Sequence, residues 1–122
     1  MSVTARIAIG WLYLVLCGCM APEGYEPHVP EGDPRQGREV LAELECGACH
    51  VIPGVPGARG RVGPALADYK RNVYIAGRYP NVPDILTRFV RDAPSMSPGT
   101  AMPAIEMSDA QARDIAAYLY SL

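Results

Sequence analysis

A chain of 122 residues with 49% hydrophobic side chains makes one small globular domain, or one with an appendage, and is too apolar to be disordered. Its formal net charge of −2 excludes a basic footprint for nucleic acid, and Lys70 is the single Lys among eleven cations, which leaves little for a partner that needs a lysine-rich ring. Twelve Pro and twelve Gly imply many turns, and no run alternates apolar and polar residues long enough to read as a strand.

Arg6 precedes an apolar run over residues 7–16. A run of about ten residues is half of the ~20 needed to span a hydrocarbon core, and it fits the apolar region of an export signal. It ends in Leu16-Cys17-Gly18-Cys19, which resembles a bacterial lipobox: an apolar residue, then a small residue directly before Cys. Residues 1–18 therefore read as a lipoprotein signal peptide with Cys19 as the lipidated residue. Cys17 follows bulky Leu16 and fits the cleavage site less well. Several acyl chains on one Cys anchor stably, where a single chain is marginal. The alternatives are a cleaved signal that releases a soluble periplasmic protein, and an uncleaved membrane anchor. Residues 19–32 hold Pro22, Pro27 and Pro30 among acidic residues and read as a lipid-anchored tether. At ~3.1 Å per residue it extends to roughly 40 Å.

Residues 33–122 form the domain. Asp33-Pro34 opens a first helix with Asp as N-cap and Pro at N1, and Gln36 completes a capping-box pattern. Val40, Leu41 and Leu44 form its apolar face, and it is expected to run into Cys46. Cys46-Gly47-Ala48-Cys49-His50 follows, and C-x-x-C-H is the attachment signature of haem c. Each thiol adds to one vinyl group of the porphyrin, the two residues between them match the span between vinyls, and the adjacent imidazole becomes the proximal iron ligand. A redox C-x-x-C needs a βαβ context that is missing here. A zinc site needs a fourth ligand, and His28, the other His, lies in the tether. Haem is attached outside the cytoplasmic membrane, so the export signal and the motif support each other.

Residues 52–57 form an apolar, turn-rich loop expected to pack near the haem, and a turn of helix is expected over residues 65–70. Arg61, Arg71, Tyr74, Arg78 and Tyr79 are the kind of donors that buried haem propionates need. A second helix is expected from about Val82 to Arg91, capped by Asn81 with Asp84 in its first turn. Val82, Ile85, Leu86, Phe89 and Val90 make its apolar stripe. Phe89 and Leu66 are expected in the wall of the haem pocket. A thioether on iron raises the potential into the electron-carrier range, and Met96, Met102 and Met107 are the candidates in the domain. A third helix opens on the capping box Ser108-Asp109-Ala110-Gln111 and carries Ile115, Tyr118, Leu119 and Leu122 on one face. Three modest helices with long loops make a thin core, which a covalent haem would staple.

Four features in order carry a family resemblance: Cys46 to His50, Gly63-Pro64-Ala65-Leu66, Pro98-Gly99-Thr100-Ala101-Met102-Pro103, and Ile115-Ala116-Ala117-Tyr118-Leu119. From Gly37 to Leu122 the chain resembles class I cytochrome c of the bacterial type. The resemblance implies an all-α cytochrome c fold, with three main helices and loops wrapped around one haem c held by Cys46 and Cys49. It implies His50 as proximal ligand, the Pro64 carbonyl as acceptor for its other ring nitrogen, and Met102 as distal ligand. Gly37 is implied as the close-contact point between the first and last helices, near Tyr118. Leu41 and Ala42 stand where many relatives carry an aromatic residue. The implied role is a monohaem carrier of single electrons in a respiratory chain, on the periplasmic side of the membrane. Its expected partners are a terminal oxidase, a cytochrome complex or a periplasmic dehydrogenase. No acid–base pair or nucleophile cluster marks an enzyme. The competing expectation is a haem sensor or peroxidase-like protein with a labile distal site.

Overall fold

The computed structural model describes residues 24–122. The expected signal peptide and the lipobox with Cys19 lie outside the described residues. Four helices follow in order: α1 (Pro34–Glu43), α2 (Pro83–Arg91), α3 (Ala93–Met96) and α4 (Asp109–Tyr120). A hairpin of β1 (Tyr74–Ile75) and β2 (Tyr79–Pro80) precedes α2. Two-residue strands offer no alternation to read, so the sequence pattern does not show them. Among the described residues no helix is long and apolar enough to cross a membrane.

α1 begins as its sequence dictates. Asp33 Oδ1 accepts from the Arg35 N–H at 2.8 Å, and Pro34 occupies the first turn, where a missing N–H is harmless. The reciprocal half of the expected capping box is not made by Gln36. Instead the Asp33 N–H donates to Asp114 Oδ1 on α4 at 2.8 Å, which ties the start of the first helix to the last. α1 stops at Glu43 rather than running into Cys46. Glu45 adopts φ +55°, and a left-handed residue cannot continue a right-handed helix.

Gly37 is buried where α1 crosses α4. A Cβ there would overlap the Asp114 carbonyl and lie 3.0 Å from the Ile115 nitrogen. The contact falls about one helical turn before Tyr118, where it was expected. Gly37→Ala is expected to lower stability by about 3 kcal/mol, the upper end of ordinary overpacking. The denaturation midpoint reads this, and an unshifted midpoint would refute the close crossing.

Leu41, Leu86, Ile115 and Leu119 bring α1, α2 and α4 into one core, joined by Ile52, Val55 and Ala58 from the loop after His50. Asn81 does not cap α2; its N-cap is Val82, which has no capping side chain. Asn81 is buried. Its amide donates to the carbonyls of Tyr69 at 3.3 Å and Asn72 at 2.9 Å, and its oxygen accepts from the Tyr120 hydroxyl at 3.0 Å. The helix expected over residues 65–70 shrinks to one 3-10 turn, Tyr69–Arg71, closed by the Asn72 N–H on the Tyr69 carbonyl at 3.0 Å, and the Asn81 amide adds a second donor there. Burial pushes the Tyr69 phenol up to about 12.

α4 shows its full capping box: Ser108 Oγ accepts from the Gln111 N–H at 3.2 Å, and Gln111 Oε1 accepts from the Ser108 N–H at 2.9 Å. The extra helix, α3, is capped by Asp92, whose Oδ1 accepts from the Ser95 N–H at 3.2 Å. Four residues are too few for a helical period to be visible in sequence. The end of the stretch read as tether is folded onto the domain. Val29 belongs to the core, Glu31 lies 3.8 Å from Arg113, and a Cβ on Gly32 would lie 2.9 Å from that of Ala117 on α4.

Candidate functional site

Glu45 turns the chain out of α1, and Cys46–Ala48 forms a 3-10 turn closed by the Cys49 N–H on the Cys46 carbonyl at 3.3 Å, which also accepts from the His50 N–H at 3.1 Å. Both Cys46 and Cys49 are free thiols and half-buried. Burial pushes the Cys46 thiol up, with Cys49 adding to the effect.

The following chain doubles back along the motif. Gly60 N–H donates to the Gly47 carbonyl at 3.0 Å, Gly63 N–H to Cys49 at 2.8 Å, and Leu66 N–H to Val51 at 2.9 Å. Small residues permit this approach. A Cβ on Gly47 would lie 2.7 Å from that of Ala58, and one on Gly63 would lie 2.7 Å from His50 Nδ1 and 2.9 Å from Nε2. His50 Nδ1 sits 2.7 Å from the Pro64 carbonyl oxygen. A carbonyl only accepts, so the contact places the ring proton on Nδ1 and leaves Nε2 with a free lone pair.

Met102 lies on a separate loop between α3 and α4. It is half-buried, and its N–H donates to Thr100 Oγ1 at 3.2 Å. Met96 is buried at the end of α3, and Met107 packs against the core. Phe89 and Leu66 pack against the core; Phe89 and Leu66 keep part of their surface exposed. Residues 52–57 are held from two helices: Tyr118 donates to the Pro53 carbonyl at 2.6 Å, and Arg38 Nε to the Gly54 carbonyl at 2.5 Å. Of the candidate propionate donors, Arg61, Arg71, Arg78 and Tyr74 are exposed. Tyr79 donates its hydroxyl proton to the Met96 carbonyl at 2.6 Å.

Cys46, Cys49, His50 and Pro64 thus form one hydrogen-bonded unit. Two unpaired thiols beside an imidazole with one nitrogen free are the donor set that a covalent haem needs, and the residues fit the group. The sequence pattern pointed to the cysteines and His50, and the family resemblance implied Pro64. It gave no role to Gly47 or Gly60, although glycine inside the motif and before Arg61 was the available signal.

The family model for cytochrome c oxidase, cbb3-type, subunit III matches residues 32–119. The chain is also 36% identical over 88 residues to cytochrome c oxidase subunit 2 of Alkalihalophilus pseudofirmus. That stretch covers 71% of this chain and 25% of the relative, so the chain spans about a quarter of the length of the curated protein it matches.

Proposed function

The chain belongs to the family of cytochrome c oxidase, cbb3-type, subunit III, and from that premise we propose that it passes single electrons to or from a membrane-bound oxidase or a periplasmic dehydrogenase. It is a monohaem cytochrome c domain of class I type, with haem c bound covalently through Cys46 and Cys49. When bound, the haem supplies a ferric–ferrous couple at a potential set by its ligands and surroundings.

The observation that carries the proposal is the 2.7 Å contact of His50 Nδ1 with the Pro64 carbonyl. It fixes the tautomer that presents Nε2 to a metal and strengthens that nitrogen as a donor. Met102 would hold the haem iron together with His50, and its thioether would favour the reduced state. With both ligands supplied by its own side chains, the protein would leave no place on the metal for an external molecule. The chain acts as a carrier rather than a catalyst. Cys19 carries the lipid that keeps the domain on the periplasmic face.

Redox titration of the purified holoprotein tests this together with carbon monoxide. A reversible one-electron curve is expected, with ~59 mV per tenfold change in the oxidised-to-reduced ratio. The reduced protein is expected to resist carbon monoxide without denaturant. Rapid binding would overturn the carrier reading in favour of a sensor or peroxidase-like haem.

A further inference from the structure

We infer that Tyr79 is a positioning residue for the distal loop: its hydroxyl holds the Met96 carbonyl and so sets where the segment bearing Met102 begins. The inference rests on the reading of Met102 as distal ligand.

The last carbonyls of a helix have no partner within it. In α3 the Met96 carbonyl is such a group, and Tyr79 supplies its donor at 2.6 Å. Beyond it, the Ser97 N–H returns to the Ala93 carbonyl at 2.7 Å, the Thr100 N–H to Ser97 at 3.1 Å, and the Met102 N–H to Thr100 Oγ1 at 3.2 Å. Gly99 turns the chain at φ +87°. Among the described residues, the hydrogen bonds of 98–103 are all local. This stretch therefore depends on its two ends. The far end is fixed by backbone: Ala104 bridges to Asp92, and the Ile105 N–H donates to the Arg91 carbonyl at 2.8 Å. The near end is held by the Tyr79 hydroxyl.

Tyr79 itself is placed by the core. It pairs with Ile75 in the β1–β2 hairpin, and Ile75 is 2% exposed. Ala76 at φ +50° and Gly77 at φ +66° make the turn, which the Arg78 N–H closes on the Ile75 carbonyl at 3.1 Å. The phenol is therefore an outside reference point for the loop. Its one proton is already donated to Met96, which removes Tyr79 from the donors available to a propionate.

Tyr79→Phe keeps the ring and deletes the hydroxyl. Loss of one such hydrogen bond shifts a local opening equilibrium roughly two- to tenfold. Two readings are taken on reduced holoprotein: the rate of carbon monoxide binding, and hydrogen exchange of the amides over residues 97–105 relative to those of α1. In Tyr79→Phe both are expected to rise by that factor, with α1 exchange unchanged. Met102→Ala serves as the reference and is expected to bind carbon monoxide without a loop-opening step. If Tyr79→Phe matches the parent in both readings while Met102→Ala binds quickly, the positioning role is overturned and the ligand stands. If Met102→Ala binds no faster than the parent, the ligand assignment fails. Faster exchange confined to 97–105 in Tyr79→Phe then still supports the hold on the loop. Exchange that rises equally in α1 overturns it as mere loss of global stability.

Discussion

Met102→Ala is expected to lower the reduction potential by a sizeable share of the ~0.8 V range over which axial ligands set haem potentials, and to open the iron to external ligands. As the proposed ligand, the thioether is a weak donor that would stabilise the ferrous state, and its removal would take that stabilisation away. Neither of the other sulfurs stands ready as a substitute. Met96 is 9% exposed, and its backbone is held by Tyr79. Met107 sits one residue before the Ser108 cap of α4 and packs on the core. Met96→Ala and Met107→Ala are therefore expected to keep the parent potential while losing packing energy. Potentiometric titration of the three variants decides the matter. An unchanged potential and spectrum in Met102→Ala would sink its assignment.

The second large effect is expected from a single methyl group. In Gly63→Ala the new Cβ would lie 2.7 Å and 2.9 Å from the two ring nitrogens of His50. Something must move, and the backbone cannot easily yield, because Gly63 and Leu66 are bonded to Cys49 and Val51. The imidazole is displaced, and its contact with the Pro64 carbonyl is lost. Loss of a partner of this kind typically costs 10–100-fold in metal affinity or activity, and the overpacking adds about 1–3 kcal/mol of destabilisation. Haem content per chain and the thermal midpoint are both expected to fall. Gly57→Ala is the control. Gly57 has φ +74°, but a Cβ there would meet no atom within 4 Å, so the variant bears only backbone strain and keeps its haem. That strain is about 1–2 kcal/mol. Equal haem content in the two variants would show that crowding of His50 is not the cause.

Much of the domain could be read from the chain because its signals are local. The Asp33 and Ser108 caps, the Pro34 start and the apolar stripe of α2 each act within a few residues of where they are written. The attachment motif is as local, whereas its partner Pro64 was implied only by the family resemblance that the Gly63-Pro64-Ala65-Leu66 loop helps to carry. What escaped is set by distance. The Asp33 N–H finds Asp114, eighty-one positions away, instead of Gln36. Asn81 has the composition of a cap, but burial directs its amide to two loop carbonyls and the Tyr120 hydroxyl. Tyr79 looked like a ligand for a carboxylate, since nothing near it in sequence marks the end of a four-residue helix as needing a donor.

The packing of Val29 and Gly32 on the domain bears on how far that domain can travel. With a lipid on Cys19, the reach would be set by the residues before half-buried Pro27 and buried Val29, and not by the whole stretch to Asp33. Eight residues at ~3.1 Å each reach about 25 Å, well short of the roughly 40 Å of the whole stretch. Effective concentration toward a partner in the same bilayer falls with about the −3/2 power of linker length, so the shorter leash raises it about twofold. Under that anchor it would also exclude partners whose docking face stands farther from the lipid surface. Collision frequency and choice of partner would then be governed in part by how Val29 packs on the domain.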